Sequence, residues 1–216
     1  MTNLFSVFDP TTGILSLNWL SLMIIMTIPQ PFWNSPSKPM SMLMSITKKL
    51  TNETIMHLNK IEPSIILVSM FLFILINNIS GLLPYVFTST AHLVVSLSLA
   101  SSMWFSLMIY GWTKKTKSMF THLVPVGTPY PLMPFMVLIE SISNIIRPGS
   151  LAVRLSANMI AGHILMSLLG NNLIQNSTMM LLFMWLFMGL MMFEMAVAFI
   201  QSYVFMTLST LYSSEI

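Results

Sequence analysis

Between Glu62 and Lys114 the chain carries no aspartate, glutamate, lysine or arginine. A hydrocarbon core about 30 Å thick takes about 20 helical residues to cross, so this stretch has room for two crossings and a turn. The rest of the 216 residues agrees: 55% are hydrophobic and 7% charged, against roughly 25% charged in soluble domains. The expectation is an all-α integral membrane protein. A net charge of +3, thinly scattered, gives no surface for nucleic acid. The absence of cysteine excludes disulfides, zinc thiolate sites and iron–sulfur clusters. Asp9 is the only charged side chain before Lys38, so the basic first segment of a cleaved presequence is not expected.

About five membrane-embedded helices plus a surface amphipathic helix account for the pattern. Residues 14–33 form a first span, shortened by Pro29 and Pro31. Residues 34–62 are polar, and Leu43, Ile46, Leu50, Leu58 and Ile61 fall roughly at helical spacing. That suits a helix lying on the membrane surface, or an ordinary loop helix. Residues 63–112 form a helical hairpin that turns at "GLLPYVFTST". Residues 113–131 form a loop, opening with "TKKTK" and continuing into a proline-rich run that excludes a regular helix. Two spans separate the lysine-bearing segments, so both face one side, which the positive-inside rule makes the cytoplasm or the mitochondrial matrix. The N-terminus then lies on the opposite side and the C-terminus on the lysine side.

Residues 132–212 form a single unit, a long helix hairpin. Its two apolar arms would be about 57 and 51 Å long if helical, far beyond the hydrocarbon thickness. Strong tilting or bending is the simplest resolution, although tilts above about 40° are unusual. Pro148 is expected to kink the first arm or delay its start.

Embedded in these arms are Glu140, Arg147, Arg154, Asn158 and His163 on one, and Glu194 and Gln201 on the other. At 100° per residue, Glu140, Arg147 and Arg154 share a helix face, which Asn158 joins, and Glu194 shares a face with Gln201. Folding about a turn near 171–178 puts Glu194 between the levels of Arg154 and His163, and Gln201 near or below Arg154. Ionisable groups at membrane depth are functional hypotheses by default. A glutamate and a histidine there can pass protons, whereas an arginine cannot deprotonate. Between two aqueous half-paths it would block proton hopping and attract a carboxylate. No other carboxylate of this chain is placed to shuttle past Arg154, so the carrier belongs to a partner. Glu140 and Arg147 either neutralise each other or border a proton path. Only His92 and His163 lie near spans, too few for a bis-histidine haem. No phosphate loop, metal cluster or nucleophilic triad is present, so no cofactor, no metal and no catalysis by the chain itself are expected.

"LAVRLSANMIAGHILMSLLG" together with "EMAVAFIQSYVFMTLSTLY" resembles the a-subunit family of F-type ATP synthases in its mitochondrial, arthropod-like form. The likeness extends to "NNISGLLPYVFTSTAHL" and "HLVPVGTPYPLMPFMVLIESISNIIRPGSLAVRL". The resemblance implies that Arg154 faces the acidic residue of a rotating proteolipid c-ring. It implies that His163, Glu194, Asn158 and Gln201 belong to or border a half-channel from the intermembrane space, and that Glu140 and Ser150 match the matrix half-channel. Asn78 matches an inlet polar residue. Gly81 stands where some bacterial members carry an acid, so no proton ligand is assigned there. The expected setting is the mitochondrial inner membrane, with the c-ring, the other membrane and peripheral-stalk subunits and the lipid bilayer as partners. Two rivals stand beside this reading: an independent ion channel or transporter, and a structural subunit of a respiratory complex.

Overall fold

The computed structural model describes residues 4–13, 16–27, 35–58, 60–122, 124, 129–175 and 180–215. They are predominantly helical, with no strand among them. Six α-helices follow in order: α1 Lys38–Leu58, α2 Ile61–Gly81, α3 Leu93–Lys114, α4 Thr116–His122, α5 Met133–Gln175 and α6 Met180–Glu215. Short 3-10 helices at Leu4–Phe8, Leu17–Thr27, Ser89–Ala91 and Tyr130–Leu132 complete the described chain. Helices α2, α3, α5 and α6 are each long and apolar enough to cross a membrane.

Helix α2 is the hub. It packs against α1 and α6, while α5 packs against both α3 and α6. One core gathers Ile74 of α2, Ala100 of α3, Leu151, Ala152 and Leu155 of α5, and Phe205 of α6. A second joins Leu50 of α1 to Leu67, Val68 and Phe71 of α2 and Met206 of α6. Lipid is as apolar as these side chains, so close contact rather than escape from water holds such helices together. That explains why small residues recur among the buried ones. Buried hydroxyls are served locally: Ser96, Ser202, Ser209 and Thr210 each donate to the carbonyl three residues back. Such side chains can be buried without asking anything of a neighbouring helix.

The turn between α2 and α3 folds back tightly. Pro84 follows α2, Tyr85 adopts a left-handed φ of 66°, and Thr88 comes to rest against Gly81. A Cβ at Gly81 would lie 2.8 Å from the Thr88 Cγ2, so only glycine admits this approach.

The long hairpin is longer than the sequence suggests. Helix α5 has 43 residues and α6 has 36, about 64 and 54 Å at 1.5 Å per residue. Neither fits upright in about 30 Å of hydrocarbon, so both must lie oblique to the bilayer normal. Pro148 sits inside α5 rather than at its start; the loss of one backbone hydrogen bond is outweighed by the packed turns on either side. The helix also runs through Gly170, where an interior glycine costs only about 1 kcal/mol, and on to Gln175, into the stretch 171–178 where the turn was expected. The described part of the first span is a 3-10 helix of 11 residues, Leu17–Thr27. At about 2.0 Å per residue it reaches only about 22 Å. Residues 14–15 and 28–34 of that expected span lie outside the described residues. The amphipathic segment is α1, which rests on α2 and α6 with Leu50 and Thr54 buried.

Ala100 is 2% exposed where α3 meets α5. Ala100→Leu should therefore overpack this contact, destabilising by about 1–3 kcal/mol and lowering the temperature at which the purified assembly inactivates. Val94→Leu on the exposed side of α3 should leave that temperature unchanged.

Candidate functional site

The two long helices run antiparallel, and two side-chain contacts fix their register. The Asn158 amide of α5 donates to the Gln201 Oε1 of α6 at 3.0 Å. The Arg147 guanidinium lies over the Tyr212 ring, 5.0 Å from its centroid, an equal step along both helices. This register corrects the sequence estimate for Gln201. It pairs with Asn158, one turn to the His163 side of Arg154, because α5 runs several residues further before the chain turns.

Arg147 also forms an ion pair with Glu140, its Nη2 lying 3.5 Å from the carboxylate oxygen. These two partly exposed groups thus neutralise each other near the start of α5. The stripe expected along Glu140, Arg147 and Arg154 is therefore divided. Arg154 takes no part in the pairing and, among the described residues, has no hydrogen-bond, ion-pair or ring partner. Its side chain is exposed midway along α5, while Leu151, Ala152, Leu155 and Ser156 around it are buried. Val153, Ala157 and Ala161 share its outward side. Ser150, one turn earlier, is exposed too, its hydroxyl donating to the Arg147 carbonyl at 2.9 Å.

Glu194 is 6% exposed and is held where α5 has no side chain. A Cβ placed on Gly162 would overlap the Glu194 carboxyl group, so the glycine is what makes room for the acid. His163, the next residue, is half-buried. Its Nε2 is buried without a hydrogen-bond partner, and its ring meets Phe8 edge-on at 6.1 Å. His163 and Glu194 thus occupy one level of the hairpin without bonding to each other directly.

Polar groups without partners gather at the α2–α3 turn. Asn78 is fully buried, and neither end of its amide finds a partner; the same holds for the hydroxyls of Thr88 and Thr90 and for His92 Nε2. Thr88 reaches α2 at Gly81, which lies on nearly the same face as Asn78 three residues earlier. The Ser89–Ala91 helix packs on α5. The His92 ring lies tilted against both Trp19 and Phe87, each 5.2 Å away between centroids. Leaving one such group unserved costs about 1–3 kcal/mol, and buried water is the usual remedy in a polar pocket. Sequence spacing could not find Thr88, Thr90 or Gly162, which acquire their roles only through contacts with distant segments. No group of three or more possible metal ligands exists among the described residues.

The site thus brings together an exposed arginine without a partner among the described residues, a buried acid at the level of a histidine and a set of buried polar groups without partners. A family model for the ATP synthase A chain matches residues 11–214. The chain belongs to the ATP synthase A chain family. It is 52% identical over 223 residues to ATP synthase subunit a of Locusta migratoria, covering 100% of this chain and 99% of that one. Against ATP synthase subunit a of Drosophila melanogaster the identity is 53% over 222 residues, with the same coverage. Against that of Artemia franciscana it is 50% over 219 residues, covering both chains completely.

Gly162→Ala should push the Glu194 carboxyl out of its place and destabilise the hairpin by roughly 1–3 kcal/mol of overpacking, read as a lower inactivation temperature of the purified assembly. Gly170→Ala, with open space around the added carbon, should be silent. A double-mutant cycle on Asn158→Ala and Gln201→Ala, read by thermal stability, should give a coupling of about 0.6–1.7 kcal/mol, as for other bonds between membrane helices.

Proposed function

We propose that this chain is the proton-translocating stator subunit of an F-type ATP synthase, offering two offset half-channels to a rotating proteolipid ring. The single observation that carries the reading is Arg154: exposed on the long hairpin and unpaired within the described chain. A fixed cation at membrane depth demands an anion, and a ring carboxylate passing along this face supplies one. Ala157 and Ala161 beside it keep the surface low enough for another helix to approach.

Protons enter from the side opposite the lysines, past the buried polar groups of Asn78, Thr88 and Thr90. They reach His163 and Glu194 and neutralise a ring carboxylate, which can then move through lipid. Asn158 and Gln201 border this inlet one turn from Arg154. On the other flank the ring carboxylate releases its proton toward the matrix past Ser150 and Glu140. Arg154 cannot carry a proton, and its charge keeps protons from hopping directly between the half-channels. The chain catalyses no covalent step; it works within the complex alongside the ring, the peripheral stalk and other membrane subunits. We place it in the mitochondrial inner membrane, with the N-terminus in the intermembrane space and the C-terminus in the matrix. The rival of an independent channel is disfavoured by the same arginine, since a pore that conducts alone has no use for a cation awaiting an external acid.

Replacing Arg154 by alanine should leave an assembled complex without proton-driven ATP synthesis. The measurement is synthesis in energised membranes beside a gel assay of assembly. Synthesis at the wild-type rate in that variant would sink the assignment.

A further inference from the structure

A cavity of about 460 Å³ opens where the end of α1, the start of α2, the end of α3 and the end of α6 meet, on the lysine-rich side. Lys60 and Lys115 line it together with His57 and Tyr110, and Glu62 is the one acid on its wall. Lys60 stands over the Tyr110 ring, with Nζ 6.0 Å from the centroid; this contact holds the ammonium at the cavity. Lys60 is also the N-cap residue of α2 and gives the helix no side-chain capping bond. Glu62 in the first turn of α2 offsets the positive end of its dipole, and Pro63 has no N–H to satisfy there, so the cavity's demand for an anion rests on Lys60 and Lys115. Deeper in, Ile66 and Leu107 form an apolar wall. Ile66 lies about 7 Å inward of Ile61, and Leu107 about 10 Å inward of Lys114, at 1.5 Å per residue.

We infer that this cavity binds the phosphate headgroup of an anionic phospholipid from the leaflet on the lysine side, with its acyl chains running along Ile66 and Leu107. The size lies within the usual range of about 300–1,000 Å³ for ligand sites. Two ammonium groups against the single acid Glu62 leave the cavity wall basic, and basic pockets between membrane helices suit lipid phosphates. The apolar inner half decides between sources of that anion. Free phosphate would leave it unfilled, and an acidic peptide entering it would bring backbone N–H and C=O groups into hydrocarbon without partners. A phospholipid satisfies both halves at once. The inference depends on the membrane placement of the helices and not on the route of the proton.

The test uses the intact ATP synthase complex, delipidated in detergent and titrated with phosphatidylglycerol, with phosphatidylcholine as the zwitterionic control. Complexes with the wild-type chain and with Lys60→Arg/Lys115→Arg should bind phosphatidylglycerol alike. Lys60→Gln/Lys115→Gln should bind it about thirtyfold more weakly, a factor of about five for each lysine lost. Excess inorganic phosphate should not displace the lipid. A photocrosslinker at Leu107 in the otherwise wild-type complex should capture phosphatidylglycerol, and it decides the matter if the glutamine variant does not assemble. Equal binding by all three chains, displacement by inorganic phosphate, or capture of a polypeptide at Leu107 would each overturn the inference.

Discussion

In hydrocarbon a guanidinium keeps its proton, its charge and its five N–H donors, and nothing within the described chain meets those of Arg154. Everything around this side chain is arranged as if to deny it an internal partner. Glu140, which shares its face in sequence, is engaged by Arg147. Glu194 is buried beside Gly162, two turns further on. Asn158 spends its amide on Gln201. A cation left in this condition costs about 2.5–3.5 kcal/mol at mid-depth on insertion scales. On the proposed reading a second molecule removes that cost, the ring carboxylate completing what the described chain leaves open.

The packing serves the same end. Helices that meet through alanine, glycine and serine approach closely, and hydroxyls that bond within their own helix make no directional demand on a neighbour. The few bonds between helices are therefore free to mark register. Asn158–Gln201 sets the level of Glu194 relative to His163, and Gly162 turns that level into a place for a carboxyl group. Remove the glycine, and the acid loses its seat although its own residue is untouched.

Much of this could be read from the sequence, for reasons that differ by element. Four long apolar helices were legible because hydrocarbon tolerates so few charges that long charge-free stretches stand out; the first expected span is described only as a short 3-10 helix. The excess length of the last two segments was legible by the same arithmetic, and so were the residues out of place in lipid. What spacing could not give was who meets whom. The register of the hairpin shifted because α5 continues through Gly170, a residue as common in turns as it is tolerable in membrane helices. Gly162 carried no signal, since a helical glycine has many uses and only the opposing Glu194 reveals this one. Thr88 and Thr90 looked like ordinary turn residues; their burial comes from a tight fold-back that depends on Gly81 and a left-handed Tyr85.

The clasp between Arg147 and Tyr212 has a mechanical meaning. The hairpin is joined by the chain at one end and, through a cation resting on an aromatic ring, at the other. An arm anchored at a single end bends freely when pushed sideways; a beam supported at both ends does not. A sideways load on the middle of α5 is therefore shared between the two ends of the hairpin.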